Sequence, residues 1–165
     1  MPTEVTLHQV LDSLRGWSGL ANYNLAVLLV PAGLAWNVRQ RLLDCWPNTV
    51  DFDAEVIRHL LAGDWAASVA EAREGRHGSL TAALDAAVEE VAACAGDEPL
   101  VVTNVNLPAL AGWDRLGQRL YLASRRGLVL LAVVGTVEAH RIALHGRLSF
   151  LAEDNATVVA LREEA

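Results

Sequence analysis

The run Asn24-Leu-Ala-Val-Leu-Leu-Val-Pro-Ala-Gly-Leu-Ala-Trp-Asn-Val38 joins a strand, a tight turn and the start of a helix. Leu25 to Val30 are apolar without alternation, which implies burial on both faces, as in a central parallel strand. Pro31 cannot donate to a ladder and ends that strand. A helical pattern starts near Trp36. Val38, Leu42, Leu43 and Trp46 form its inner face, and Arg39, Gln40, Arg41 and Asp44 point outward. Strand, turn and helix in this order are the layout of a phosphate-binding loop.

The flanking sequence continues the alternation. Thr6 and Gln9 form a capping box for a helix over 6–17, with Leu7, Val10, Leu11, Leu14 and Trp17 in one stripe. Thr49-Val-Asp-Phe52 is a short strand near an edge. Asp53 caps the next helix, whose face is Val56, Ile57, Leu60 and Leu61. Residues 65–73 read as an Ala-rich helix and 74–78 as a loop. Ser79 caps a long helix with Leu80, Ala83, Leu84, Ala87, Val88 and Val91 inward. A strand runs from Leu100 to about Val105, and Pro108 stops it. A helix over 113–126 and a second continuous apolar strand, Leu128–Val134, follow. Beyond the Gly135-Thr136 turn, 141–144, 148–151 and 157–161 read as strands of a short β-rich C-terminal end. The expected fold is a single α/β domain over 1–165. It has three layers and a mostly parallel sheet, with a P-loop NTPase-like core of RecA/AAA-like kind.

Hydrophobic residues make up 53% of the 165 and charged residues 20%, enough apolar mass for a sizeable core. The net charge of -7 argues against direct nucleic acid binding, which needs a basic face. That net charge leaves room for a local basic patch at Arg115, Arg119, Arg125 and Arg126. Cys45 and Cys94 stand in no metal-ligand spacing and read as reduced, buried thiols. No basic or apolar leader opens the chain, and no apolar run nears the roughly 20 residues that span a bilayer. The expectation is a cytoplasmic protein without a membrane partner.

A working phosphate loop reads Gly-x-x-x-x-Gly-Lys-Ser/Thr. Laid on 30–37, it puts the first Gly on Val30, the second on Ala35, the Lys on Trp36 and the hydroxyl on Asn37. Pro31 and Gly33 fit the loop's usual filling. The partner strand, Leu100–Leu107, has Thr103 or Asn104 at the metal-holding acid position and Asn106 at the nearby one. Trp36 brings no charge to a triphosphate, and amides and a hydroxyl replace both carboxylates. Val30, Pro31, Gly33, Ala35, Trp36 and Asn37 are therefore the remnant of a nucleotide loop. Thr103, Asn104 and Asn106 are a Walker B-like strand end without acids. No catalytic residue, metal or ATP–magnesium cofactor is expected, and Arg39 and Arg125 are the arginines placed to contact a ligand.

The chain resembles the small, BrxF-like P-loop protein of BREX-type phage-defence loci over roughly residues 24–140. The residues that carry the likeness are the loop, then Asn48-Thr-Val-Asp-Phe52 leading into Val56–Leu61, and Val101-Val-Thr-Asn-Val-Asn106. Ser124-Arg125 at a helix end and Leu130–Val134 running into Gly135-Thr-Val-Glu138 complete it. The resemblance implies an accessory subunit acting through protein–protein contacts, with a larger ATPase of a defence system as partner. Two alternatives differ in class. One is a divergent ATP-binding or ATPase subunit that borrows its missing cation or acid. The other is a Rossmann-like small-ligand protein whose site is the carboxyl end of the sheet.

Other clusters have simpler readings. Asp51, Asp53 and Glu55 fit a helix cap and a solvated first turn better than a metal or acid–base site. Glu138, His140 and His145 lack a second cluster to complete a metal site. Trp36, Trp46, Trp65 and Trp113 are scattered, as core packing or partner anchors would be.

Overall fold

A computed structural model of the chain describes residues 1–18, 23–138, 141–144 and 156–162, and the strand backbone at 148–152. The elements are β1 (Thr3–Val5), α1 (Leu7–Arg15), β2 (Leu25–Leu29), α2 (Ala35–Cys45), β3 (Thr49–Asp51) and α3 (Phe52–Ala62). Then come α4 (Trp65–Arg73), α5 (Gly78–Ala93), β4 (Leu100–Thr103), α6 (Asn106–Ala111), α7 (Arg115–Ala123) and β5 (Val129–Val133). The chain closes with β6 (Gly135–Glu138), β7 (Arg141–Leu144), β8 (Leu148–Ala152) and β9 (Thr157–Leu161).

The main sheet has the order β1-β9-β2-β5-β4-β3, and its pairings are parallel. The two continuous apolar runs lie side by side at its centre, with Leu25 opposite Val129 and Leu29 opposite Val133. Successive strand residues face opposite layers. Val27 and Leu29 enter the larger core with Phe52, Leu84, Val88, Leu116 and Leu120 from α3, α5 and α7. Leu28 and Val30 enter the smaller one with Val10, Leu11 and Leu14 of α1 and Val38 and Leu42 of α2. Helices thus cover both faces, as the unbroken hydrophobicity of β2 and β5 requires. Leu28 is fully buried, so truncation to Ala would cost about 2–5 kcal/mol.

Several expectations need correction. Thr3–Val5 is a strand, paired with β9, and β9 runs between β1 and β2 in the main sheet instead of ending a β-rich tail. The separate small sheet is β6-β7-β8, antiparallel, and begins at Gly135 itself. Leu43, Ile57 and Leu61 are exposed, and Cys94 is an exposed thiol. Pro108 lies inside α6, where the first turn tolerates it, and does not stop a strand. Ser79 does not cap α5: His77 is the cap residue, and the Ser79 amide donates to the Glu71 carboxylate at 2.9 Å. The α3 cap is Asp51, whose carboxylate accepts from the Ala54 amide, and not Asp53. No helix among the described residues is long and apolar enough to cross a membrane.

Candidate functional site

The carboxyl ends of β2, β4 and β5 surround a cleft of about 190 Å³. Val30, Ala35, Trp36 and Arg39 line it from the β2 side, and Thr103, Asn104 and Asn106 from the β4 side. Carboxyl ends of parallel strands are where open α/β sheets place ligands. Of the six residues laid on the phosphate-loop pattern, Val30, Ala35 and Trp36 thus line the same cleft as Thr103, Asn104 and Asn106.

The loop itself is a tight turn. The Val30 amide donates to the Val133 carbonyl at 2.8 Å and continues the β2–β5 ladder. Pro31 then breaks it, and Ala32–Leu34 form one 3-10 turn. Its bonds run from the Leu34 amide to Pro31 O, 2.9 Å, and from the Ala35 amide to Ala32 O. An anion nest turns successive amides toward one point, in an alternating right- and left-handed or a turn conformation. Among described residues, only Asn104, Gly75 and Gly112 have positive φ, so the Pro31–Leu34 turn has no left-handed residue. Gly33 needs no glycine geometry, since an added Cβ there would meet nothing within 4 Å.

Trp36 is 64% exposed. Asn37 lines a neighbouring groove with His8, Arg41 and Arg162, not the cleft. The two halves of a magnesium site, at Asn37 and Thr103, are therefore not brought together. Arg125 is also apart: it lies over the Tyr23 ring at 5.7 Å, just before β2, while the cleft opens beyond the strand's other end. Its neighbour Ser124 is buried and accepts from the Asn24 amide at 3.2 Å, which ties α7 to the start of β2.

Arg39 turns inward and stacks on Trp36, with its guanidinium carbon 4.3 Å from the ring centre. Its Nη1 lies 3.5 Å from Asp51 Oδ2, and its Nε is buried without a hydrogen-bond partner. Asp51 Oδ1 also accepts from Asn104 Nδ2 at 2.9 Å, and Asn104 Oδ1 accepts from Asn106 Nδ2 at 2.6 Å. Asn104 itself sits at φ 57°, in the left-handed region that Asn tolerates better than most residues. Its carbonyl accepts from the Asp53 amide at 3.0 Å.

Asp53 has a role that its local sequence does not announce. Its side chain is 7% exposed and accepts from the amides of Asn106, 3.1 Å, and Leu107, 2.9 Å, capping α6 from a distant segment. Burial raises its pKa above the ordinary value of 3.8; the two amide bonds oppose that, and the nearby Asp51 charge adds to it. The Asp-Phe-Asp spacing marks only a helix start, and nothing local announces α6 as its partner.

The remaining candidates do not converge on chemistry. Asp51 and Asp53 cap helices, and Glu55 pairs with Arg58. Among the described residues, no group of three or more His, Cys, Asp or Glu could hold a metal ion. His140 and His145 lie outside the described residues. The arginines of the expected basic patch are engaged between α5 and α7: Arg115 with Asp85, Arg119 with Glu89, and Arg126 with the Ala92 and Ala95 carbonyls. Trp113 is core, its Nε1 donating to Asp85 at 3.1 Å, whereas Trp65 is exposed. Compared with family models, curated proteins and solved structures, the chain gives no match.

Proposed function

We propose that this protein is a non-hydrolysing, P-loop-like α/β domain that works as an accessory subunit through protein contacts. The observation that carries the reading is the closed 3-10 turn at Ala32–Leu34, which directs two loop amides to the loop's own carbonyls where a nucleotide loop would present them to phosphate. The Arg39–Asp51 pair supports it, because the cation nearest the cleft is already balanced by an acid. The strand order supports the P-loop-like part: β5 separates the loop strand β2 from the Walker B-like strand β4, as in RecA/AAA-like cores. Exposed Trp36, Leu61, Trp65 and Leu110 are apolar side chains available for contact. The partner that the BrxF-like resemblance implies is a larger ATPase of a BREX-type defence system.

Titration with magnesium ATP, followed by tryptophan fluorescence and calorimetry, tests this. The expected result is no saturation below about 100 µM, a threshold on the order of -5.5 kcal/mol. Saturation below it would favour the divergent ATP-binding reading instead. Co-elution with a larger ATPase of a BREX-type defence system tests the partner, and separate elution at micromolar concentrations counts against it.

A further inference from the structure

The rotation of α2 that sends Arg39 to Asp51 leaves Asn37 and Arg41 on the wall of a separate groove of about 280 Å³. Leu7 and His8, in the first turn of α1, line it as well. So do Leu161, the last residue of β9, and Arg162. β9 runs parallel to β2, so this groove also lies at the carboxyl edge of the main sheet, where open α/β sheets place ligands. The Arg162 amide donates to the Val5 carbonyl at 2.8 Å, which fixes the backbone there against β1.

The charge of the groove is opposite to that of the chain. The net charge is -7, yet no acid lines the groove, and its titratable side chains are His8, Arg41 and Arg162. His8 is taken, with its Nε2 3.1 Å from Asp12 Oδ2. Arg41 and Arg162 are exposed, and among the described residues neither has an ion pair or a side-chain hydrogen bond. Arg15, Arg39, Arg58, Arg115 and Arg119, by contrast, each stand beside an acid. A groove lined by one sign of charge draws the opposite sign into it, and a guanidinium is the fork that carboxylates fit.

The lining chooses among anions. Val38 and Leu161 are buried and Leu7 and Leu34 half-buried, which gives the groove an aliphatic floor. A bare phosphate leaves that surface in water, whereas an acid next to an aliphatic side chain covers it. The rim is open, with the His8 side chain 77% exposed, which suits a segment of chain laid across it better than an enclosed small molecule. On the accessory-subunit reading, we propose that this groove docks an acidic segment of a protein partner. Its carboxylates pair with Arg41 and Arg162, and a leucine-like side chain covers the floor.

The test is a titration of the full chain with acetyl-Glu-Leu-Glu-Leu-Glu-amide, read from the methyl resonances of Leu34 and Leu161. Its glutamine counterpart, acetyl-Gln-Leu-Gln-Leu-Gln-amide, is run beside it. The expected result is a saturable shift of both residues below about 2 mM with the acidic peptide and roughly tenfold weaker binding of the glutamine peptide. The double variant Arg41→Gln/Arg162→Gln is expected to lose roughly tenfold in binding of the acidic peptide. Arg73→Gln, which removes an exposed cation from α4, is expected to leave it unchanged.

Equal binding of the two peptides overturns the proposal, as does absence of saturation or an equal loss in Arg73→Gln. Inorganic phosphate or acetyl-Glu-Ala-Glu-Ala-Glu-amide binding as tightly as the leucine peptide overturns it too, because the floor is then unused. The peptide comparisons need no variant and decide the matter even where the double variant does not fold. Peptide binding together with separate elution from the BREX-type ATPase overturns that choice of partner and supports the groove. Co-elution that survives in the double variant overturns the groove and leaves the accessory-subunit reading standing.

Discussion

The guanidinium of Arg39 stacks on Trp36 at 4.3 Å while its Nη1 reaches 3.5 Å toward Asp51. One side chain therefore links the first turn of α2 to the end of β3, an edge strand, across the mouth of the cleft. The aromatic that stands at the lysine position of a phosphate loop serves here as a platform for an arginine three residues on. Because Trp36 is mostly exposed, its contribution is that of a solvated cation–π contact. Trp36→Ala is expected to lower stability in urea by about 0.5–1 kcal/mol. A loss above about 2 kcal/mol would mean that Trp36 packs against something more than Arg39.

Asn104 gives a second prediction, because backbone strain and side-chain bonding pull in opposite directions there. Asn104→Gly relieves the left-handed strain but loses the bonds to Asp51 and Asn106. Asn104→Ala loses the same bonds and keeps the strain. The Ala variant is expected to be less stable than the Gly variant by about 1 kcal/mol, measured by thermal or urea unfolding. Equal stabilities would show that position 104 does not hold φ 57° in solution.

Glycines separate loop shape from packing. At Gly127 an added Cβ would lie 1.8 Å from the Gly96 carbonyl oxygen, a backbone atom that cannot swing away. Gly127→Ala is expected to destabilise by about 3 kcal/mol or more. Gly33, in the 3-10 turn after β2, has open space around it and no positive φ. Gly33→Ala is expected to be neutral or stabilising by up to about 1 kcal/mol, through the lower entropy of the unfolded chain. A marked loss at Gly33 would indicate a loop conformation other than the 3-10 turn.

What the sequence discloses about this fold is what local chemistry determines. β2 and β5 are legible because burial on both faces leaves an unbroken apolar run, and α1 because Thr6 and Gln9 bond each other's backbone within one turn. β1 is not legible: Thr-Glu-Val carries no strand signal, and pairing with β9 alone makes it a strand. The cleft was half legible. Overlaying a motif locates Trp36 and Thr103, and Arg39 stands among the expected ligand contacts, but its inward turn is visible only once β3 brings Asp51 to it. Asn37 falls on the right motif position and the wrong side of α2. Helix rotation, which the sheet sets, decides both.

Asp53 supplies the prediction with a defined pH dependence. Replacing it by Ala leaves the Asn106 and Leu107 amides without their acceptor, and a loss of about 2 kcal/mol is expected from the cap and the buried donors together. Burial keeps its folded pKa above 3.8, the ordinary value to which the unfolded chain returns. Below 3.8 both states hold the proton. As pH rises past that value the unfolded chain releases the proton first, so the folded state binds more protons than the unfolded one. Stability from this group is then fully present at low pH and is lost as pH climbs through the folded pKa. Asp53→Asn cannot ionise and lacks that loss. Stability of the natural chain minus that of Asp53→Asn should therefore fall as pH is raised above 3.8 and level off once Asp53 is ionised in both states. Urea denaturation of the two proteins from pH 3.5 to pH 7, on the order of the range carboxylates titrate over, measures the difference. A difference that rises with pH would show that the two amide bonds outweigh burial at Asp53.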